Sequence, residues 1–177
     1  MKIVAFGASY SSTSINKTFA AYATGFFPAN EVEILDLKSF PLPLYTTDLE
    51  KEIGKPQAAI DFVEKLATAD LLVISVAEHN GSYTTAFKNL FDWASRFKVK
   101  MFENKKVLLF STAPGPRGGL SALQSATARF PIHGAEVLGS FSLPKFADNF
   151  AAGEGITDET LKSEFMQVIE SAKQHLA

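Results

Sequence analysis

The chain has 177 residues, of which 46% are apolar and 20% charged, with a formal net charge of −2 and no cysteine. These values predict a single globular domain over residues 1–177, and the small negative charge argues against nucleic acid or an anionic membrane as a partner. The lack of cysteine excludes disulfides, thiol nucleophiles and iron–sulfur ligation, so redox chemistry would need a bound organic cofactor.

Five apolar runs of strand length alternate with segments of helical period. The predicted strands are 2–7, 31–37, 70–76, 105–111 and 135–141. The predicted helices are 14–27, 56–69, 84–98, 119–130 and 157–176. The third and fourth strands are almost continuously hydrophobic, as expected when helices cover both faces of a parallel sheet. The alternation therefore predicts an α/β fold with a doubly wound parallel sheet, in which 41–50 and 143–155 are irregular.

The stretch GASYSSTSIN, residues 7–16, follows the first predicted strand and leads into a helix. Hydroxyl groups and free N–H groups at a helix N-terminus, placed at the carboxyl edge of a parallel sheet, are typical of a phosphate site. The stretch lacks the glycines of G-x-G-x-x-G and the lysine of the Walker sequence, which favours a terminal monophosphate. The alternative is a flexible loop in which Ser12 or Thr13 caps the helix.

Two further unusual loops follow the third and fourth predicted strands. In AEHNGSYTTAFKNLFDW, residues 77–93, Asn80 and Gly81 favour a tight turn whose main chain is free to contact a flat heterocycle. Glu78 and His79 in the same loop are either an acid–base pair or, more simply, solvated loop residues. The third loop, STAPGPRGGLSAL at 111–123, is a rigid, glycine-rich turn before a helix. The three loops are predicted to meet at one edge of the sheet.

With these motifs, the chain resembles the NADPH-dependent FMN reductase family of flavodoxin-like quinone, chromate and azo-dye reductases. The family pattern P-E-Y-N-x-S-x-P-x-x-L-K-N-x-x-D-W is matched in the second loop by Glu78, Asn80, Ser82, Lys88, Asn89, Asp92 and Trp93. In this family the first loop ends in S-x-N, which residues 14–16 match here. The third loop of the family contains a G-x-x-G-G turn, which residues 115–119 match. The resemblance extends over nearly the whole chain.

The resemblance implies a flavodoxin-like three-layer sandwich with sheet order 2-1-3-4-5, FMN as the cofactor and NADPH or NADH as the co-substrate. It implies that the FMN phosphate is held by Ser9, Ser11, Ser14, Ile15 and Asn16. It implies that the isoalloxazine ring lies along Ala77, Glu78, His79, Asn80 and Gly81, and that its other side is closed by Ser111, Thr112 and Gly118. The implied electron acceptor is a quinone-like, azo or metal-oxyanion compound, and the implied assembly is a homodimer or homotetramer.

The sequence departs from the family pattern at several positions. The usual tyrosine of the second loop is His79, the usual prolines are Ala77 and Thr84, and the arginine common in the first loop is missing. These differences bear on how firmly FMN is held and on the choice between NADPH and NADH. Arg117 is the nearest obvious cation, and it either assists the flavin or a nicotinamide phosphate or is an exposed turn residue.

Other functions fit the sequence less well. A serine hydrolase needs a G-x-S-x-G elbow after a strand, and a phosphoacceptor receiver needs acidic residues after the first and third strands; neither pattern is present. A non-catalytic flavodoxin-like module, as an electron carrier or a flavin-less interaction protein, stays open as the alternative. No catalytic side chain is predicted, since hydride transfer through a flavin needs no side-chain acid or base. No metal site is predicted, because the three histidines lack ligand spacing.

Location and assembly are predicted from two further patterns. The chain has neither an apolar run of about 20 residues nor a signal-peptide pattern, which predicts a cytoplasmic protein without membrane contact. In the helix predicted at 84–98, the apolar residues cover an arc of roughly 160°, wider than a one-sided surface helix needs. Part of that arc either faces another subunit or is packed deep in its own domain.

Overall fold

A computed structural model describes residues 1–176 of the chain. The strands within this range are β1 Lys2–Ala8, β2 Glu31–Ile34, β3 Leu71–Val76, β4 Glu78–His79, β5 Ser82–Tyr83, β6 Lys105–Thr112, β7 Ala135–Leu143, β8 Phe150–Ala151 and β9 Gly155–Ile156. The α-helices are α1 Ile15–Thr24, α2 Thr47–Ile53, α3 Gln57–Ala67, α4 Thr85–Phe97, α5 Leu120–Arg129, α6 Phe146–Asn149 and α7 Glu159–Leu176. No helix within residues 1–176 combines the length and apolar character needed to cross a bilayer.

Five strands form one all-parallel sheet in the order β2-β1-β3-β6-β7. Counted along the chain, the order is 2-1-3-4-5, so the predicted topology is confirmed. β3 is buried along its whole length, as are the last six residues of β6, because helices lie on both faces of the sheet. All five parallel strands point their carboxyl ends at the same edge, which is where the loops after β1, β3 and β6 emerge.

Alternate side chains of β1 enter two different hydrophobic cores. Val4 and Phe6 pack in the core beneath α3, α4 and α5, whereas Ile3 and Ala5 pack in the core beneath α1 and α7. This alternation is the period-two geometry of a strand with both faces covered. The result is the three-layer, flavodoxin-like sandwich expected from the sequence.

Close packing of α1 against β1 depends on Gly7. A Cβ atom built on Gly7 would lie 2.2 Å from the backbone nitrogen of Lys17, a distance that any larger residue would have to relieve by moving the helix. The missing side chain therefore lets the N-terminus of α1 approach the carboxyl end of β1. Thr84 ties the second loop to the same place, since its hydroxyl donates to the Ala8 carbonyl at 3.0 Å.

Some local structure differs from the sequence prediction. The strand predicted at 31–37 ends at Ile34, because Asp36 caps a 3-10 turn over Leu37–Ser39. The stretch 41–50 is irregular only in its first half, since the Thr46 side chain caps α2 by accepting the Leu49 N–H at 3.1 Å. The two short antiparallel pairs, β4–β5 and β8–β9, carry too few residues for a periodic signal.

The wide apolar arc of α4 is covered by the chain itself. Phe87, Leu90, Trp93 and Ala94 are at most 1% exposed, and Phe91 is 5% exposed. Of the two explanations for the arc, burial within its own fold accounts for these side chains. They therefore give no support to a subunit contact through this helix.

Candidate flavin-binding site at the carboxyl edge of the sheet

The loops after β1, β3 and β6 surround one cavity of ≈ 270 Å³. It lies beyond the carboxyl ends of these strands, the position at which open α/β sheets bind ligands. The residues on its wall are Ser9, Ser11, Thr13, Ser14, Ile15, Asn16, Ala77, Glu78, His79, Thr112, Ala113 and Pro114. The structure thus brings together nine of the thirteen predicted site residues, and it adds Thr13, Ala113 and Pro114.

The first loop is held in shape by its own hydroxyl groups. Ser9 Oγ accepts the Ser11 N–H at 3.1 Å, Ser11 Oγ accepts the Thr13 N–H at 3.3 Å, and Ser14 Oγ accepts the Lys17 N–H at 3.1 Å. The helix cap is therefore Ser14, and the alternative that placed it at Ser12 or Thr13 is wrong. The Ser9 and Ser14 hydroxyls accept in this way and keep their own O–H protons available to donate to a ligand, whereas Ser11 and Thr13 share a hydroxyl–hydroxyl contact of 3.4 Å, in which one of the two O–H groups donates.

Several backbone donors of this loop also stay available. The N–H groups of Ser12, Ser14, Ile15 and Asn16 have no acceptor among residues 1–176. They lie at the positive end of the α1 dipole, and the first turn of α1 contains no acidic side chain. Neutral donors arranged in this way suit a phosphate group, and no lysine or arginine lies on the cavity wall.

The Asn16 side chain is part of the frame beneath the cavity. Its Oδ1 accepts from Ser75 Oγ at 2.7 Å and from the Thr112 N–H at 3.1 Å, and its Nδ2 donates to the Thr112 carbonyl at 3.0 Å. Thr112 Oγ1 in turn donates to the Leu143 carbonyl. Asn16 thus joins α1 to β3 and β6, and Thr112 extends the frame to β7. What Asn16 offers a ligand is therefore chiefly its backbone N–H.

The second loop is a two-residue β-hairpin. Glu78 pairs with Tyr83 and His79 with Ser82, while Asn80 and Gly81 form the tip with φ values of 53° and 77°. Positive φ at both tip positions is what a type I′ hairpin turn requires, and Asn-Gly is its preferred sequence. The hairpin turns its base toward the cavity, so Ala77, Glu78 and His79 line the wall whereas Asn80 and Gly81 do not.

Glu78 has a structural partner in the described chain. Its Oε2 accepts the Ala122 N–H at 3.0 Å, in the first turn of α5. The residue that precedes α5 is Gly119, which has no side chain to cap the helix, and a carboxylate there also interacts favourably with the helix dipole. Glu78 thus couples the second loop to the third, and an acid–base pair with His79 is not needed to explain it.

Ser111 and Gly118 lie behind the wall of the cavity. Ser111 is fully buried, and its Oγ has no hydrogen-bond partner among the described residues. Gly118 and Gly119 both have positive φ; a Cβ on Gly119 would lie 3.2 Å from Ser111 Cβ, and one on Gly118 would lie 2.3 Å from Ser142 Oγ. The turn needs glycine to pack against the end of β7, and Ala113 and Pro114 form the wall in its place.

Arg117 lies outside the cavity wall. It is exposed, and its guanidinium donates to Ser121 Oγ at 2.9 Å, one turn along α5. Of the two interpretations made from the sequence, the exposed turn residue is the one that this contact supports.

A second cavity of ≈ 380 Å³ adjoins the first and shares His79 with it. Its walls are the β4–β5 hairpin, one side of α4 and the segment 41–46, which we call the strap. Two residues of the family motif on α4 hold the strap: Asn89 bonds the main chain of residues 42, 43 and 45, and Trp93 Nε1 donates to the Pro43 carbonyl at 2.8 Å. This arrangement leaves no periodic signal in the sequence, because its partners are more than 40 residues apart.

Comparison with known proteins agrees with this geometry. The model of the family described as NADPH-dependent FMN reductase matches residues 1–148. An NADPH:quinone oxidoreductase of Arabidopsis thaliana is 30% identical over 148 residues, covering 80% of this chain and 72% of the relative. An NAD(P)H-dependent FMN reductase of Pseudomonas aeruginosa is 31% identical over 134 residues, covering 75% and 66%.

Solved structures show the same fold. FerB, a flavoenzyme NAD(P)H:(acceptor) oxidoreductase from Paracoccus denitrificans, superposes with a TM-score of 0.71 at 21% identity, covering 98% of each chain. The apo form of EMOB, an NADH:FMN oxidoreductase, has a TM-score of 0.72 at 19% identity, covering 99% of this chain and 90% of its own. With the matched sequence model, the 30% identical relative and the three converging loops, the chain belongs to the NADPH-dependent FMN reductase family.

Proposed function

We propose that this protein is an FMN-dependent NAD(P)H oxidoreductase whose physiological acceptor is a quinone-like compound. The overall reaction is NAD(P)H + H⁺ + quinone → NAD(P)⁺ + hydroquinone, a transfer of two electrons. The observation that carries the proposal is the convergence of three loops on one cavity whose first loop keeps its hydroxyl and N–H donors available. Azo compounds and metal oxyanions are further acceptor classes for the same chemistry.

The donor set fits the phosphate of FMN. The donors lie at the N-terminus of α1: they are the hydroxyls of Ser9, Ser11 and Ser14 and the N–H groups of Ile15 and Asn16. Glu78 has the only carboxylate on the cavity wall, and this carboxylate is hydrogen-bonded to α5. A dianionic group gains from helix-dipole and hydrogen-bond stabilisation there. Because every donor is neutral, we expect phosphate binding to be less dependent on salt than a site built on arginine.

The ring of the cofactor is proposed to lie between the second and third loops. Ala77 and His79 form one side and Thr112, Ala113 and Pro114 the other. Asn80, Gly81, Ser111 and Gly118 act indirectly in this proposal, by shaping the hairpin and the glycine-rich turn. His79 takes the position of the family's tyrosine, and its imidazole would contact the ring.

When bound, FMN supplies the capacity to accept a hydride from NAD(P)H and to return two electrons to an acceptor. The protein's part is positioning: the Asn16–Ser75–Thr112 frame fixes the loops, and Glu78 fixes the third loop against the second. A preorganised site of this kind needs no side-chain acid or base, since fixed dipoles stabilise charge without reorganising. The nicotinamide and then the acceptor would bind in turn next to the cofactor.

We further propose a cytoplasmic homodimer or homotetramer formed from one FMN-binding domain per chain. The support for assembly comes from the family resemblance. Light scattering at micromolar protein concentration tests it, and a clean monomer with full activity would contradict it.

A direct test combines retention and reduction. The purified protein is mixed with FMN, freed of excess, and treated anaerobically with NADPH or NADH, followed by tetramethyl-1,4-benzoquinone. We expect retained yellow colour, bleaching by a reduced nicotinamide and recovery of colour on addition of the quinone. Retained colour without bleaching would favour an electron carrier, and no retention at micromolar FMN would favour a flavin-less module.

A further inference from the structure

The strap contributes a wall to the second cavity, and its first five residues have no main-chain anchor of their own. From Pro41 to Tyr45 no backbone–backbone hydrogen bond joins it to other residues of the described chain. Two prolines, Pro41 and Pro43, remove N–H groups that a sheet or helix would use. Leu44 is 70% exposed on the cavity side, so burial does little to hold this part of the strap.

A single asparagine supplies most of the missing anchors. Asn89 Oδ1 accepts the Tyr45 N–H at 2.8 Å, and its Nδ2 donates to the carbonyls of Pro43 at 3.0 Å and Leu42 at 3.4 Å. Asn89 thus bonds the main chain of three of the four residues between 42 and 45. Backbone groups in this position are otherwise left to solvent, which does not specify one conformation.

The neighbouring aromatic contact reinforces the same geometry. Trp93 Nε1 donates to the Pro43 carbonyl, and the Tyr45 ring packs edge-on against the indole at 5.1 Å. Tyr45 Oη donates to Glu50, which pairs with Arg96 at 2.9 Å. The position of Leu44 and Tyr45 is therefore set by side chains of α4 and α2.

The cavity that the strap encloses suits a flat, partly apolar molecule. Leu44 and the Tyr45 ring offer apolar contact, and Asn80, Ser82 and Lys88 offer polar groups for carbonyl oxygens at its edge. The charge of Lys88 is largely balanced by Asp92, both of whose oxygens lie 2.7 Å from its Nζ. Since His79 lines both cavities, a molecule bound here lies next to the site proposed for the flavin.

We propose that the strap cavity is the subsite for a quinone-like electron acceptor and that Asn89 is its positioning residue. This inference rests on the proposed function. Asn89 acts through the strap: its three hydrogen bonds hold Leu44 and Tyr45 where they contact the acceptor. The FMN cavity has no wall in the strap, so loss of the clamp weakens acceptor binding and leaves flavin binding unchanged.

The first test uses the FMN-free protein and the intrinsic fluorescence of Trp93, the chain's only tryptophan. In Asn89→Ala we expect a red-shifted Trp93 emission and stronger quenching by acrylamide, because the strap no longer covers the indole. The matched control is Lys105→Met, since Lys105 also donates to two main-chain carbonyls, those of Ala67 and Ala69, at the opposite edge of the sheet. An unchanged emission in Asn89→Ala would overturn the positioning role.

The second test isolates the acceptor step in the FMN-loaded protein. The flavin is reduced with dithionite and then oxidised with tetramethyl-1,4-benzoquinone over a range of concentrations. In Asn89→Ala we expect the half-saturating quinone concentration to rise roughly tenfold and the limiting rate to change less than twofold, as for lost binding rather than lost chemistry. An unchanged half-saturating concentration together with a red-shifted emission would overturn the subsite.

A third variant keeps the test valid if Asn89→Ala folds poorly. Leu44→Asp alters only an exposed wall residue, and we expect it to raise the half-saturating quinone concentration without moving the Trp93 emission. The FMN dissociation constant is measured for each variant. Failure of the unaltered protein to bind FMN would contradict the proposed function, whereas normal flavin binding with unaltered quinone saturation in Leu44→Asp would contradict the strap subsite alone.

Discussion

The first loop and the strap are both irregular segments that border a cavity, but they are held in different ways. The first loop is stabilised by its own hydroxyls, which accept N–H groups two or three residues ahead. The strap is held from outside, by side chains of α4 that lie 44 to 50 residues further along the chain. In the first loop, several backbone N–H groups stay available to a ligand because the loop is stabilised by its own side chains. In the strap, the backbone polar groups are used in hydrogen bonds that define its conformation.

At the end of the first loop, Asn16 differs from the hydroxyl residues because its side chain bonds to distant strands. Its replacement is expected to lower the free energy of unfolding more than any other change that we propose. Asn16→Ala leaves Ser75, the Thr112 N–H and the Thr112 carbonyl without their partner in a buried site. We expect a loss of about 3 kcal/mol in the free energy of unfolding, measured by urea denaturation. Asn30→Ala, an exposed asparagine, is the control. A loss below about 0.5 kcal/mol would mean that the loop needs no distant anchor.

Ser11→Ala tests an exposed hydroxyl of the first loop, whose local contacts, with the N–H and the hydroxyl of Thr13, can be replaced by water. We expect FMN affinity to fall roughly tenfold, because one hydrogen bond to a charged phosphate is lost, while the free energy of unfolding changes by less than about 0.5 kcal/mol. Riboflavin, which lacks the phosphate, should bind equally to both proteins. Ser12→Ala is the matched control, since the Ser12 side chain is not on the cavity wall. Equal losses for FMN and riboflavin would remove Ser11 from the phosphate site.

The smallest effect is an acid-dependent loosening of the strap. Hydrogen bonds from Arg96 and then Tyr45 lower the pKa of Glu50 below its ordinary value of 4.5. A lowered pKa in the folded state means that the stabilisation is present above pH 4.5 and is lost as the pH falls through the folded value. Trp93 emission is expected to shift in that range, and the shift should be absent in Glu50→Gln. The first loop contains no titratable carboxylate and should show no matching change.

The two segments also differ in how far the sequence predicted them. Six consecutive hydroxyl side chains before a helix indicated an anion site, because their hydrogen bonds are local and follow from spacing. The same reasoning misplaced the helix cap by one or two residues. The strap was predicted only as part of an irregular piece, 41–50, bordering a pocket or a subunit contact. Its partners, Asn89 and Trp93, were not predicted, since they meet it only after α3 and β3 have been added between them.

The sequence by itself determined the five alternating units, the parallel sheet and the family, because strand and helix periods and short motifs are properties of neighbouring residues. Only the tertiary structure decided what the motif side chains bond to: Glu78 caps α5, Asn16 joins α1 to β3 and β6, and Asn89 fixes the strap. The physical reason is that a side chain's hydrogen-bond partner is set by packing across the sheet edge. The partners of Asn16 and Asn89, two residues of the same type, are therefore set only once distant segments meet.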